Sequence, residues 1–240
     1  QFRTRSAMNI VDEMEQVQTL SYDRVWFADD CFTLNRKRLI SICDEIIERR
    51  IKIGWECLSR VDTIDKEVAS KMKEAGCIRV YFGIESGNDQ VLRLMQKQIT
   101  TQQAKQGVTT AKQAGIQVGA FFIIGYPNET NQTILDTVKF ASSLPLDYLS
   151  FTLPYPIPGT QLYERVKDKM TVNDWEEPKN LHLIKHKLLY QSDFSEAKLK
   201  FAILKATTQF TLRKHLSTRS YKLLITPFER LTDFIFNHMH

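Results

Sequence analysis

Five short apolar runs begin near residues 24, 51, 78, 118 and 148, and a stretch with helical spacing separates each from the next. The clearest, 118–124, is too continuous for a half-exposed antiparallel strand and too short for a helix, so it reads as a strand buried on both faces. Every connection is long enough for a helical crossover, which predicts parallel strands joined by right-handed connections. Polar residues or a glycine close the runs, at Asp29-Asp30, Ser59-Arg60, Glu85-Ser86, Gly125 and Thr152. A barrel gathers such strand ends around one mouth, whereas a doubly wound sheet collects its ligands at one switch point, so the barrel is favoured. The chain's 240 residues suit one domain of that size.

The helices are marked by caps. Ile10, Val11, Met14, Val17 and Leu20 share one face of a first helix that begins near Ser6 or Asn9. Thr33 or Asn35 caps a second over 35–49, and Asp65 caps a third over 66–75, closed by Gly76. Helical stretches follow at 91–95 and 101–114, the latter closed by Gly115. After Gly125 either Asn128 or Thr130 caps a helix reaching Ser142. A chain that opens on a helix lacks the strand expected before it, so the sequence is expected to start downstream of the repeat's first strand. From Asp193 onward only helices are expected. Asp193 with Glu196, and Thr226-Pro227 with Glu229, look like two capping boxes.

Four cysteines, Cys31, Cys43, Cys57 and Cys77, lie far apart, and no pair has chelating spacing, so they read as mostly buried thiols. No charged-then-apolar leader and no apolar run of ~18 residues is present, which predicts a cytoplasmic protein. Residues 181–240 hold ten Lys/Arg against four Asp/Glu. Such a tail can meet anionic lipid or nucleic acid, but a solvated helix face is the commoner outcome and nucleic acid is not expected. Leu223, Leu224, Phe228, Leu231, Phe234 and Ile235 are expected to pack on the barrel in preference to a membrane surface. His182 and His186, four apart, lack a third metal ligand nearby.

At a barrel mouth, carboxylates can grip an ammonium or ribose hydroxyls, an arginine can grip a carboxylate, and a glycine lets a flat ring lie on backbone. That combination suits a zwitterionic amino acid joined to a nucleoside. The simpler alternative pairs Arg60 with Asp62 or Asp29 and makes Glu85 a helix cap.

Six segments carry a specific resemblance: Phe27-Ala28-Asp29-Asp30-x-Phe32-Thr33, Ser59-Arg60-Val61-Asp62, Met72-x-x-Ala75-Gly76-Cys77, Phe82-Gly83-Ile84-Glu85-Ser86-Gly87, Phe122-Ile123-Ile124-Gly125-Tyr126-Pro127-x-Glu129-Thr130 and Pro158-Gly159-Thr160. In order and spacing, over residues 3–170, the chain resembles the radical S-adenosylmethionine (SAM) enzymes, above all the branch whose members often carry a cobalamin-binding domain upstream. The resemblance implies an α/β fold: a partial (β/α)6 TIM-like barrel over 1–170, its first strand missing, with a C-terminal helical appendix over 171–240. It implies that Asp29 and Asp30 hold the methionine amino group and that Glu85 and Ser86 contact ribose or the methionine carboxylate. Arg60 would pair with that carboxylate, Ile123 support adenine beside Gly125, and Glu129 brace the loop. Phe121 replaces the first glycine of the family's pattern. The three-cysteine loop that binds the family's 4Fe-4S cluster is expected just upstream of Gln1.

The implied activity is reductive cleavage of SAM to a 5′-deoxyadenosyl radical, for hydrogen abstraction or methyl transfer on a small-molecule or lipid substrate. The partners would be a reductant such as ferredoxin or flavodoxin and an upstream cobalamin domain, and the chain alone would be inactive. The alternative is a cluster-free SAM- or nucleoside-binding module. A metal-independent lyase would need a strand-end lysine or His–carboxylate pair, which is not evident.

Overall fold

The computed structural model describes residues 4–171 and 188–239. His182 and His186 lie outside the described residues. Five strands, β1 (Arg24–Phe27), β2 (Gly54–Ser59), β3 (Cys77–Glu85), β4 (Gln117–Ile123) and β5 (Tyr148–Thr152), form one sheet in sequence order. β1–β2 and β2–β3 pair in parallel. Helices alternate with the strands: α1 (Ala7–Thr19), α2 (Arg36–Glu48), α3 (Lys66–Glu74), α4 (Asp89–Leu94), α5 (Thr101–Gln113) and α6 (Asn131–Ser143). The β/α repeat of a partial TIM-like barrel is therefore present, followed by α7 (Gln161–Val166), α8 (Glu196–His215) and α9 (Thr218–His238).

Backbone contacts divide the chain into two compact units. The first holds residues 1–84, 99–121 and 145–148, and the second 85–98, 122–144 and 149–240. In the first, Leu39, Ile42, Trp55, Val68, Met72, Val80, Val108 and Val118 are fully buried. Phe27 stacks on Phe32 at 4.1 Å, and Trp55 meets both edge-on. In the second, Phe122, Ile134, Ala141, Leu199, Ala202 and Ala206 are buried, and Phe122 stacks on Phe151 at 5.3 Å. Each large side chain so buried contributes roughly 1.5–3 kcal/mol.

Most of the expected caps form. Ser6, Asn35, Asp65 and Thr130 each accept the backbone N–H three residues on. Gly76 and Gly115 close their helices at φ +88 and +80. Asn128 is not a cap; it takes the left-handed conformation at φ +70.

Strand β2 begins at Gly54 rather than Ile51, because the preceding backbone closes α2 instead. Arg50 turns left-handed, Ile51 N–H donates to Ile46, and Lys52 N–H donates to Gln18 Oε1. Neither C-terminal capping box forms. Ser195 caps α8 by accepting from Lys198 N–H, while Glu196 accepts from Leu188 N–H at 3.2 Å. Ser217 caps α9, which runs straight through Pro227. Pro227 removes a bond to the Leu223 carbonyl, and Leu223 is 70% exposed, so water can satisfy that oxygen. Five of the six side chains expected to pack stand outward instead: Leu223, Leu224, Leu231, Phe234 and Ile235 are exposed, while Phe228 is half-buried.

Candidate functional site

A densely hydrogen-bonded strand end follows β4. Gly125 sits at φ +84, where a side chain is strained, and an added Cβ would lie 2.5 Å from Leu199 Cδ1 of α8. Glu129 Oε2 accepts two backbone N–H groups, from Gly125 at 2.7 Å and Tyr126 at 2.9 Å, while Thr133 Oγ1 donates to Oε1 at 3.3 Å. The Gly125 carbonyl in turn accepts from the Tyr190 hydroxyl at 2.9 Å. Glu129 is 5% exposed, and burial pushes its carboxyl up to about 7 against the opposing pull of those three hydrogen bonds. Burial likewise pushes the Tyr190 phenol well above its usual range. Ile123, the last residue of β4, is half-buried.

Helix α6 ties a second strand end into the same unit. Thr133 and Thr137 lie one turn apart on it. Thr133 serves Glu129, while Thr137 Oγ1 accepts Gly87 N–H at 3.0 Å and shares a 3.0 Å bond with Ser86 Oγ. A Cβ on Gly87 would come within 2.8 Å of Thr137 Cα, so only glycine permits this approach. Asn88, which caps α4, donates its side-chain amide to Asp136 at 2.9 Å. Ser86 is therefore fully buried with its hydroxyl engaged. Glu85, before it, adopts φ +73 and pairs with Lys97 Nζ at 2.9 Å. It is not a helix cap. A left-handed residue other than glycine at a strand end is a conformation that functional sites retain.

In the other unit, Asp29 and Asp30 follow β1 and both are exposed; Asp29 Oδ1 lies 3.9 Å from the Arg38 guanidinium. Arg60 follows β2 and is gripped bidentately by Asp62, at 2.9 and 2.8 Å. Of the two partners open to Arg60, the structure selects Asp62. Beneath it, the hydroxyls of Thr33, Ser59 and Thr63 form a partly buried trio, with bonds of 2.6 and 2.5 Å from Thr33. Thr133, Thr137, Lys97 and Tyr190 escaped the sequence reading. Only the hydroxyls at 133 and 137, four apart on an otherwise apolar helix face, left a signal there.

The donor set suits SAM in kind. Exposed carboxylates after β1 suit an ammonium, the Glu85 carboxylate held by Lys97 suits hydroxyls, and a fixed glycine turn follows β4. It does not suit an iron–sulfur cluster. Among the described residues no group of three His, Cys, Asp or Glu could hold a metal. Burial pushes the Cys43 thiol up to about 12, and the Cys77 contact, with burial, raises Cys57, so these are inert thiols.

The model of the Radical SAM superfamily matches residues 1–141. Over 155 residues the chain is 44% identical to an uncharacterized methyltransferase of Pyrococcus horikoshii, covering 63% of this chain and 34% of that protein. Over 180 residues it is 32% identical to the anaerobic magnesium-protoporphyrin IX monomethyl ester cyclase of Rubrivivax gelatinosus, covering 73% and 32%. The chain thus spans about a third of the length of these relatives. Among solved structures, the radical SAM methyltransferase TsrM from Kitasatospora setae, with cobalamin and a [4Fe-4S] cluster bound, superposes with a TM-score of 0.60 at 21% identity, covering 64% and 32%. The cobalamin-dependent SAM radical enzyme OxsB, with aqua-cobalamin bound, gives 0.63 at 17%, covering 98% and 43%. At these identities the two structures speak for the fold.

Proposed function

The chain belongs to the radical SAM superfamily, and from that premise we propose that it is the core of an enzyme that reductively cleaves SAM to a 5′-deoxyadenosyl radical, for hydrogen abstraction or methyl transfer. The observation that carries this reading is the turn after β4. The bonds from the Gly125 and Tyr126 N–H groups to Glu129 support the bracing role that the resemblance implies for Glu129 beside Gly125. The 44% identical relative named a methyltransferase supports methyl transfer, and a cobalamin domain is the proposed partner.

The ends of the first four strands receive roles in binding. Asp29 and Asp30 hold the methionine ammonium, and Glu85, aimed by Lys97, accepts from ribose. Arg60 faces the methionine carboxylate when it yields Asp62, and Ile123 packs on adenine. Ser86 shapes the Glu85 turn from beneath through Thr137. The family's 4Fe-4S cluster, where bound, would supply the electron for cleavage, and no step at a cluster is assigned to the described residues. A ferredoxin or flavodoxin is the proposed reductant, and residues 1–170 and 171–240 are the proposed core and extension. A cluster-free SAM-binding module is the second reading, favoured by the wide spacing of the four cysteines.

Calorimetry on the full-length protein tests the site. Glu85→Ala is expected to weaken SAM by about 1.5–3 kcal/mol, the scale of a charged hydrogen bond. Unchanged affinity would leave Glu85 as no more than the partner of Lys97. Deoxyadenosine formation after anaerobic reconstitution separates the two readings, since a cluster-free module makes none.

A further inference from the structure

Helix α9 carries two faces with different fates. On one, Thr232 and Phe236 are buried, Asp233 pairs with the buried Lys205 of α8, and Glu229 accepts from the Gln209 amide at 3.4 Å. On the other, Leu223, Leu224, Leu231, Phe234 and Ile235 are exposed by 70, 52, 61, 61 and 38%. At about 100° per residue these five fall within an arc of about 120°, a continuous stripe roughly 18 Å long. Arg219 and Arg230, both exposed, lie along one border of it. Both acidic residues of the helix face α8, so its outward face presents large apolar side chains and positive charge without a carboxylate.

We propose that this face lays α9 in the interfacial plane of an anionic lipid bilayer. The charge distribution selects that occupant. An apolar stripe flanked by arginine, with the acids turned away, matches a surface that is hydrocarbon within and negative at its headgroups. A second copy of the chain would meet the same cationic border with no carboxylate on this face to answer it. The five side chains would also supply roughly 500 Å² of contact, short of the ~800 Å² per partner of a stable interface. The helix would lie on the membrane, since no described helix is long and apolar enough to cross one.

The test is flotation of the full-length protein with vesicles of phosphatidylcholine alone, or of phosphatidylcholine mixed with phosphatidylglycerol. Recovery is expected with the anionic vesicles, falling as salt rises because the arginine contribution is screened. The doubly substituted Leu231→Glu, Phe234→Glu should lose at least about tenfold in partitioning, with an unchanged circular-dichroism melt, because both side chains are exposed. Arg230→Glu should weaken only the anionic arm. Absence of co-flotation, or equal recovery of the double variant, overturns the proposal. So does a concentration-dependent dimer in sedimentation that the same substitutions abolish, which would make a second copy the occupant.

Discussion

The turns after β4 and after β1 do the same topological work and are built in opposite ways. After β4 the chain closes on itself: Glu129 takes two N–H groups, Tyr190 takes the carbonyl, and Leu199 fills the space beside Gly125. After β1 the anchors are Phe32, buried, with its N–H on the Leu58 carbonyl at 3.0 Å and the Arg38 guanidinium over its ring, and Thr33, bonded to Ser59 and Thr63, while Asp29 and Asp30 stand in solvent. A turn that satisfies its own polar groups holds geometry, and a turn that leaves carboxylates open offers them to a ligand. The two kinds of carboxylate should therefore respond to substitution in opposite ways.

The largest expected effect is on the closed turn. Glu129→Ala leaves the Gly125 and Tyr126 N–H groups buried without an acceptor, which should cost about 3–5 kcal/mol in unfolding free energy, visible as a fall in Tm. A cost no greater than that of removing an exposed aspartate would break the comparison.

Next comes pH. The Glu129 carboxyl is raised by burial to about 7 in the folded protein, from an ordinary value of 4.5. The folded state therefore binds more proton than the unfolded one between those values. The stabilising contribution is complete below about 4.5 and is lost as pH rises through about 7, an upper bound of about 3 kcal/mol. Glu129→Gln keeps an acceptor for the two N–H groups and should flatten this window in denaturant titrations at successive pH. An unchanged slope in the Gln variant would assign the pH dependence to another group.

What the sequence showed of these two turns follows from the range of the forces involved. Strand runs, the caps at Ser6, Asn35, Asp65 and Thr130, and the glycine closures are set within a few residues, so their signal is local. The brace from Glu129 to Gly125 spans four residues, and it was the family resemblance that pointed to it. Tyr190 reaches the Gly125 carbonyl across 65 residues, and Lys97 reaches Glu85 across 12 with Gln96 left-handed just before it at φ +55, so neither left a pattern to read. The start of β2 moved because Gln18, far upstream, claims the Lys52 N–H. In the C-terminal helices Ser195 and Ser217 outcompeted the expected capping boxes, and Pro227 was tolerated where its orphaned carbonyl faces water.

The smallest expected effect on stability is at the open turn, and it is the one that separates scaffold from ligand grip. Asp29 is 46% exposed and its nearest cation stands 3.9 Å away, a pair that solvent screens, so Asp29→Ala should change unfolding by less than about 0.5 kcal/mol. If Asp29 holds the ammonium of SAM, the same substitution should weaken SAM by about 1.5–3 kcal/mol in calorimetry on the full-length protein, with Asp29→Glu recovering part of it. Arg38→Met supplies the control: it removes the 3.9 Å partner without touching a proposed ligand group, so it should leave SAM affinity within a factor of about two. Loss in Arg38→Met equal to that in Asp29→Ala would mean that the turn is held by the arginine and that its openness is not what binds. Loss in Asp29→Ala alone, with an unaltered melt, is the signature of a carboxylate whose only work is done on the ligand.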